Sequence, residues 1–119
     1  MSGRVRKVES QIREIVGEEV ATLSDPRIRG LVTITGVRLS PDLANATVFY
    51  SVLSQEIAQE AREGLQSAAG RLQASLGAQT RLKRTPRLRF EPDPVVEQVS
   101  RVETALREVR ADDDPQRAQ

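Results

Sequence analysis

Between residues 71 and 90 the chain carries Arg71, Arg81, Lys83, Arg84, Arg87 and Arg89 and no Asp or Glu. Guanidinium groups grip phosphate oxygens with two parallel N–H donors and tolerate partial loss of water, so cations at this density form a surface for a polyanion. The rest of the chain does not share the bias: residues 1–70 hold 8 basic and 9 acidic side chains, and residues 91–119 hold 4 and 8. The net charge of +1 thus averages a block of +6 against an acidic close containing Asp112-Asp113-Asp114, which would repel the same ligand. A coding preference for Arg over Lys would supply guanidiniums, but it would not also remove every acid from the block. Arg71, Arg81, Lys83, Arg84 and Arg87 are the expected phosphate contacts. Arg4 and Lys7 extend the patch if the first helix begins beside it.

Other chemistries lack their parts. With no Cys and no His, the chain can form no disulfide, no Cys/His zinc site and no Ser-His-Asp triad. The carboxylate pairs Glu18-Glu19 and Glu60/Glu63 fall on helix surfaces with no base beside them, and the acidic run at 112–114 lacks the spaced ligands and glycine of a calcium loop. Neither G-x-G-x-x-G nor G-x-x-x-x-G-K-[ST] occurs, so no phosphate cradle for a nucleotide is encoded. No enzyme activity, cofactor, metal or small-molecule substrate is expected. The three aromatic residues, Phe49, Tyr50 and Phe90, are too few for a base-stacking sheet. Both phenylalanines are expected in the core and Tyr50 partly buried, leaving RNA contact mainly to backbone and shape.

The elements that must position these cations follow from hydrophobic spacing. A chain of 119 residues with 38% apolar content suits one domain that buries about two thirds of its unfolded surface. Val5, Val8, Ile12, Ile15, Val16, Val20 and Leu23 recur at steps of three and four, predicting a helix over 4–23 that stops at Ser24-Asp25-Pro26. β-Branched residues then predict strands over 31–39 and 45–53, joined by Ser40-Pro41-Asp42-Leu43 as an antiparallel hairpin. Ser54 can cap a helical stripe running through Ile57, Ala61, Leu65, Ala68, Leu72 and Leu76. Gly64 and Ala68-Ala69-Gly70 interrupt it, and glycine costs about 1 kcal/mol in a helix interior, which predicts a break near Gly70 and two helices. Residues 81–90 read as a third strand, with Pro86 at a bulge or an edge.

The order helix-strand-strand-helix-helix-strand is an α+β layer with helices on one face of a three-stranded sheet. Beyond this domain of residues 1–93, Asp93 can cap a C-terminal amphipathic helix over 94–110. Its seam is Val95, Val99, Val102, Leu106 and Val109, and an acidic, disordered tail is expected over 111–119. No apolar run reaches membrane length and none resembles a signal peptide, so a cytoplasmic location away from membranes is expected.

This order, with Ala68-Ala69-Gly70 standing where a GXXG loop would lie, suggests a K-homology-like domain. Asp25-Pro26-Arg27, Val32-Thr33-Ile34-Thr35, Asp42-Leu43, Ala46, Val48-Phe49-Tyr50-Ser51, Leu65, and the run Pro86, Leu88, Phe90, Asp93 together resemble bacterial ribosome-binding factor A over about residues 4–108. The chain departs from the family pattern at Arg87, often acidic there, and at Lys83, where arginine is frequent. The resemblance implies a type II K-homology fold with an Ala-x-Gly kink at Ala68, Ala69 and Gly70. It further implies an assembly factor that binds immature small (30S) ribosomal subunits and their 16S rRNA, acts late in maturation and supports growth in the cold. The free protein is expected to be a monomer. The alternative is a protein-interaction module that uses the C-terminal valine seam, with the basic segment incidental.

Overall fold

A computed structural model describes residues 3–95, 102–103 and 105–109. Helix α1, Gly3–Thr22, places Ile12, Ile15, Val16 and Val20 on one buried stripe. It ends where the sequence predicts. Pro26 has no amide to donate, and Asp25 organises the exit: its carboxylate accepts the Arg27 N–H at 2.9 Å and its carbonyl accepts the N–H groups of Ile28 and Arg29. Ile28, the first apolar residue of this turn, is almost wholly buried.

Strands β1 (Val32–Leu39) and β2 (Asn45–Val52) form the expected antiparallel hairpin. The ladder steps from Ile34↔Tyr50 to Gly36↔Phe49, so Thr35 is an extra residue in a bulge. In the connecting turn Asp42 Oδ1 accepts from Ser40 Oγ at 2.6 Å and from the Ala44 N–H at 3.1 Å, while the Asn45 N–H donates to Ser40 Oγ. Leu43 closes this turn at φ +62°, a left-handed conformation costly for a bulky side chain.

A single 3₁₀ turn, Gln55–Ile57, capped by Ser54, leads into α2, Ala58–Gln79. Here the expectation of two helices is corrected: α2 runs unbroken through Ala68-Ala69-Gly70. The local cost of Gly70 is outweighed because Ala61, Leu65, Leu72 and Leu76, on both sides of it, share one buried face, and each buried leucine contributes about 1.5–3 kcal/mol. Gly64 has a specific task, since a Cβ there would lie 2.9 Å from Ile28 Cγ1 and 3.0 Å from its Cδ1. The missing side chain lets α2 close on the 25–28 turn.

Strand β3, Arg87–Pro92, pairs parallel with β2, giving the order β1-β2-β3. A parallel neighbour requires a crossover, which α2 supplies. The expected strand over 81–90 is thereby corrected. Its ladder begins only after Pro86, because β2 itself begins at Asn45, the partner of Arg87. Residues 80–86 are irregular, and Pro86 is buried just before the strand instead of within it.

Cross-strand register lines up the core as Leu39–Ala46–Leu88 and Ile34–Tyr50–Pro92, with Val48 opposite Phe90 between them. The buried members of these rows join Ile12, Val16, Leu65, Leu72 and Leu76 in one cluster. This is the α+β fold, with both helices on one sheet face, that the K-homology resemblance implies. Two aromatic expectations exchange places: Tyr50 is core at 3% exposure, whereas Phe49 lies half-buried on the opposite sheet face. Strand parity forces this, since neighbouring residues point to opposite faces.

Asp93 fastens the far end of the sheet. Its N–H donates to the Tyr50 carbonyl at 2.8 Å, its Oδ2 accepts from Thr35 Oγ1 at 2.6 Å, and its Oδ1 accepts from the Val95 N–H at 2.9 Å, the expected cap. Residues 94–95, 102–103 and 105–109 are helical; Val99 and the tail over 111–119 lie outside the described residues. Among the described residues no helix is long and apolar enough to cross a membrane.

Candidate nucleic-acid interface

All seven expected cations, Arg4, Lys7, Arg71, Arg81, Lys83, Arg84 and Arg87, are exposed. The one ion pair within 4 Å among the described residues joins Arg27 to Asp25 at 2.7 Å, so none of the seven is ion-paired at that distance. Arg27 is occupied in holding its turn: its Nε and Nη2 donate to both Asp25 oxygens. Those donors hold the Asp25 carboxyl below its ordinary value, and the accepting carboxylate holds the Arg27 guanidinium above its own.

The cations do not form the single strand face that alternation suggests. Arg81, Lys83 and Arg84 lie in the irregular 80–86 segment, and only Arg87 and Arg89 are on β3, exposed on the face away from the helices. Arg38 lies beside them in register, as Arg38–Thr47–Arg89, and its guanidinium sits 5.9 Å from the centroid of Phe49. That distance places it within cation–π reach. Arg38 was missed because it lies outside the acid-free block; its parity on β1 was the available signal.

Arg4 does meet the loop cations. It borders, with Lys83 and Arg84, a cleft of about 330 Å³ between the start of α1, the β1–β2 turn and the 80–86 segment. Val5, Val8, Leu39, Leu43, Leu82 and Pro86 make the remaining wall largely apolar, with Asp42 at its edge. The clefted end is held from α1 by Glu9, whose Oε2 accepts the Leu39 N–H at 2.8 Å. Asp42 stays ionised, its carboxyl lowered by the Ser40 hydroxyl first, then by the Ala44 N–H and, more weakly, by Arg84. Lys7 and Arg81 do not border this cleft.

A second, shallow hollow is lined by Gly70, Gln73, Ala74 and Gly77 of α2 and by Thr85. Thr85 approaches α2 closely at Gly77, where a Cβ would lie 2.9 Å from Thr85 Oγ1. Arg71 adjoins it in sequence. At Gly70 a Cβ would meet nothing within 4 Å, so backbone there is open to an approaching ligand. Among the described residues no group of three or more His, Cys, Asp or Glu side chains is placed to hold a metal.

Comparison with known proteins bears on the family and the fold. The family model described as ribosome-binding factor A matches residues 4–106. The ribosome-binding factor A of Rubrobacter xylanophilus is 68% identical over 110 residues, covering 92% of this chain and 90% of that protein. The crystal structure of ribosome-binding factor A from Thermus thermophilus superposes with a TM-score of 0.68 at 35% identity, covering 74% of this chain and 93% of that one. A homology model of Thermus thermophilus ribosome-binding factor A, fitted into the cryo-EM map of a 30S complex, gives 0.60 at 36% identity, covering 71% of this chain and 90% of that one. With residues 4–106 matched by the family model, a relative 68% identical over 92% of the chain and the fold shared, the chain belongs to the ribosome-binding factor A family.

Proposed function

We propose that this protein is an assembly factor that binds immature 30S subunits through their 16S rRNA, acts late in maturation and supports growth in the cold. The observation that carries the reading is the set of exposed cations at Arg4, Lys7, Arg71, Arg81, Lys83, Arg84 and Arg87, unpaired with any acid among the described residues. Unpaired guanidinium groups retain their full capacity for phosphate oxygens. A relative placed in a 30S complex supports the choice of the small subunit as partner. The protein acts by differential binding, stabilising one rRNA arrangement over its competitors, and cold increases the benefit because misfolded RNA helices escape slowly. Open backbone at Gly70, beside the core-packed Ala68 and Ala69, serves as the approach point where a GXXG loop would lie.

Replacing Arg81, Lys83 and Arg84 together with Ala tests the reading by co-sedimentation with immature small subunits. Association should fall while the thermal midpoint stays nearly unchanged, because all three side chains are exposed. Equal loss of both would assign them a packing role.

A second reading has its own observation. Val95, Val102, Leu106 and Val109 are 68, 53, 49 and 57% exposed, an apolar seam that a partner helix could cover. Truncation after Asp93 separates the two. Retained co-sedimentation supports the rRNA reading, and its loss supports the seam.

A further inference from the structure

Leu43 contradicts the local rules of its turn. Its φ of +62° favours glycine or asparagine, its side chain is 45% exposed, and it adds nothing to the buried cluster. A bulky apolar residue held in a strained conformation without a folding gain marks a functional position. The strain is imposed by the Ser40–Asp42–Ala44 hydrogen bonds around it, and it places Leu43 on the wall of the cleft that Arg4, Lys83 and Arg84 border.

The cleft combines two properties that one ligand class shares. Its wall is largely apolar, and three of its borders are cations that outnumber the single carboxylate there, Asp42. That carboxylate accepts from Ser40 and Ala44 and forms no ion pair within 4 Å among the described residues, although the charge of Arg84 reaches it. At about 330 Å³ it lies at the small end of the range of about 300–1,000 Å³ typical of ligand sites. That is room for a heterocycle and too little for a folded segment. A helix or peptide with an apolar anchor would leave the cations unmatched; a nucleotide matches both parts.

We infer that this cleft takes one unpaired base of single-stranded RNA, seated against Leu43, Leu82 and Val8, with its flanking phosphates on Arg4, Lys83 and Arg84. The inference rests on the rRNA-binding reading and adds to it a point where the protein contacts a base as well as the backbone. Such a contact favours rRNA whose strand at that point is open, because a paired base cannot enter without being unstacked.

The test measures affinity by fluorescence anisotropy for a single-stranded RNA of about eight nucleotides and for an abasic ribose-phosphate oligomer of the same length and charge. The unaltered protein should bind the base-bearing strand about tenfold more tightly. Leu43→Asn keeps the left-handed turn, removes the apolar wall, and should bring the two affinities together without altering their salt dependence. Leu43→Gly, which relieves the backbone strain, should behave in the same way and guards against a folding defect in the first variant. Equal affinity of the unaltered protein for both strands, or a base preference that survives both variants, overturns the inference while leaving the rRNA reading intact. Failure of both strands to bind overturns both readings. Loss of subunit binding in Leu43→Asn with no change toward either strand assigns the cleft to a protein partner and overturns the inference.

Discussion

Two glycines in one helix separate local cost from packing. Gly70 is exposed with open space where a Cβ would stand, so Gly70→Ala should raise stability by about 0.5–1 kcal/mol through helix propensity alone. A Cβ on Gly64 would meet Ile28 at 2.9 Å, and Ile28 is almost wholly enclosed; overpacking costs about 1–3 kcal/mol and exceeds the same propensity gain. Gly64→Ala should therefore lower stability by about 1–2 kcal/mol, and urea midpoints of the two variants should move in opposite directions. Asp25 gives a pH signature at the same scale. Its carboxyl is held below its ordinary value by the Arg27 side chain and N–H donors, so the unfolded chain binds a proton more readily than the folded one. The contribution is complete above the ordinary aspartate range and is lost as pH falls through the depressed folded value. Asp25→Asn should flatten that acid limb in a plot of thermal midpoint against pH; an unaltered limb would show that the Arg27 contacts carry no such linkage.

At the scale of elements, Asp93 joins three parts of the chain: the β1 bulge through Thr35, the end of β2 through Tyr50, and the helical residues from 94 through Val95. Asp93→Ala should cost about 1–2 kcal/mol, the range of a lost cap, and amide exchange should accelerate near Val95 and Thr35 together. Acceleration at Val95 alone would reduce Asp93 to a simple cap. The first helix and its stop at Asp25-Pro26, the hairpin and the Asp93 cap were legible in the sequence, because spacing and capping residues act over a few positions; Ser54 caps the 3₁₀ turn ahead of α2 and not α2 itself. The start of β3 was not, because it is set by its partner: Arg87 is the first residue with β2 beside it, and nothing local distinguishes Leu82 and Lys83 from strand. The continuity of α2 was hidden for a related reason. Glycine cost is written locally, while the burial of Leu65, Leu72 and Leu76 that overrides it depends on the sheet.

Across the whole molecule, the cationic character of the site was legible and its shape was not. Counting charges located residues 71–90, but the fold divides them among a loop, a helix and the outer sheet face, and brings Arg4 from the other end of the domain to Lys83 and Arg84. Arg38 and Phe49 join the outer face only through strand register. On the proposed rRNA-binding reading, a surface assembled in this way binds largely by releasing counterions from RNA, so its strength must depend on salt. The direct measurement is the affinity of the unaltered protein for immature small subunits across a salt series. With about six cations engaged on largely single-stranded rRNA, log affinity should fall against log salt with a slope of roughly −4. A flat response would contradict the account, since it would show that the exposed guanidinium groups do not hold the subunit.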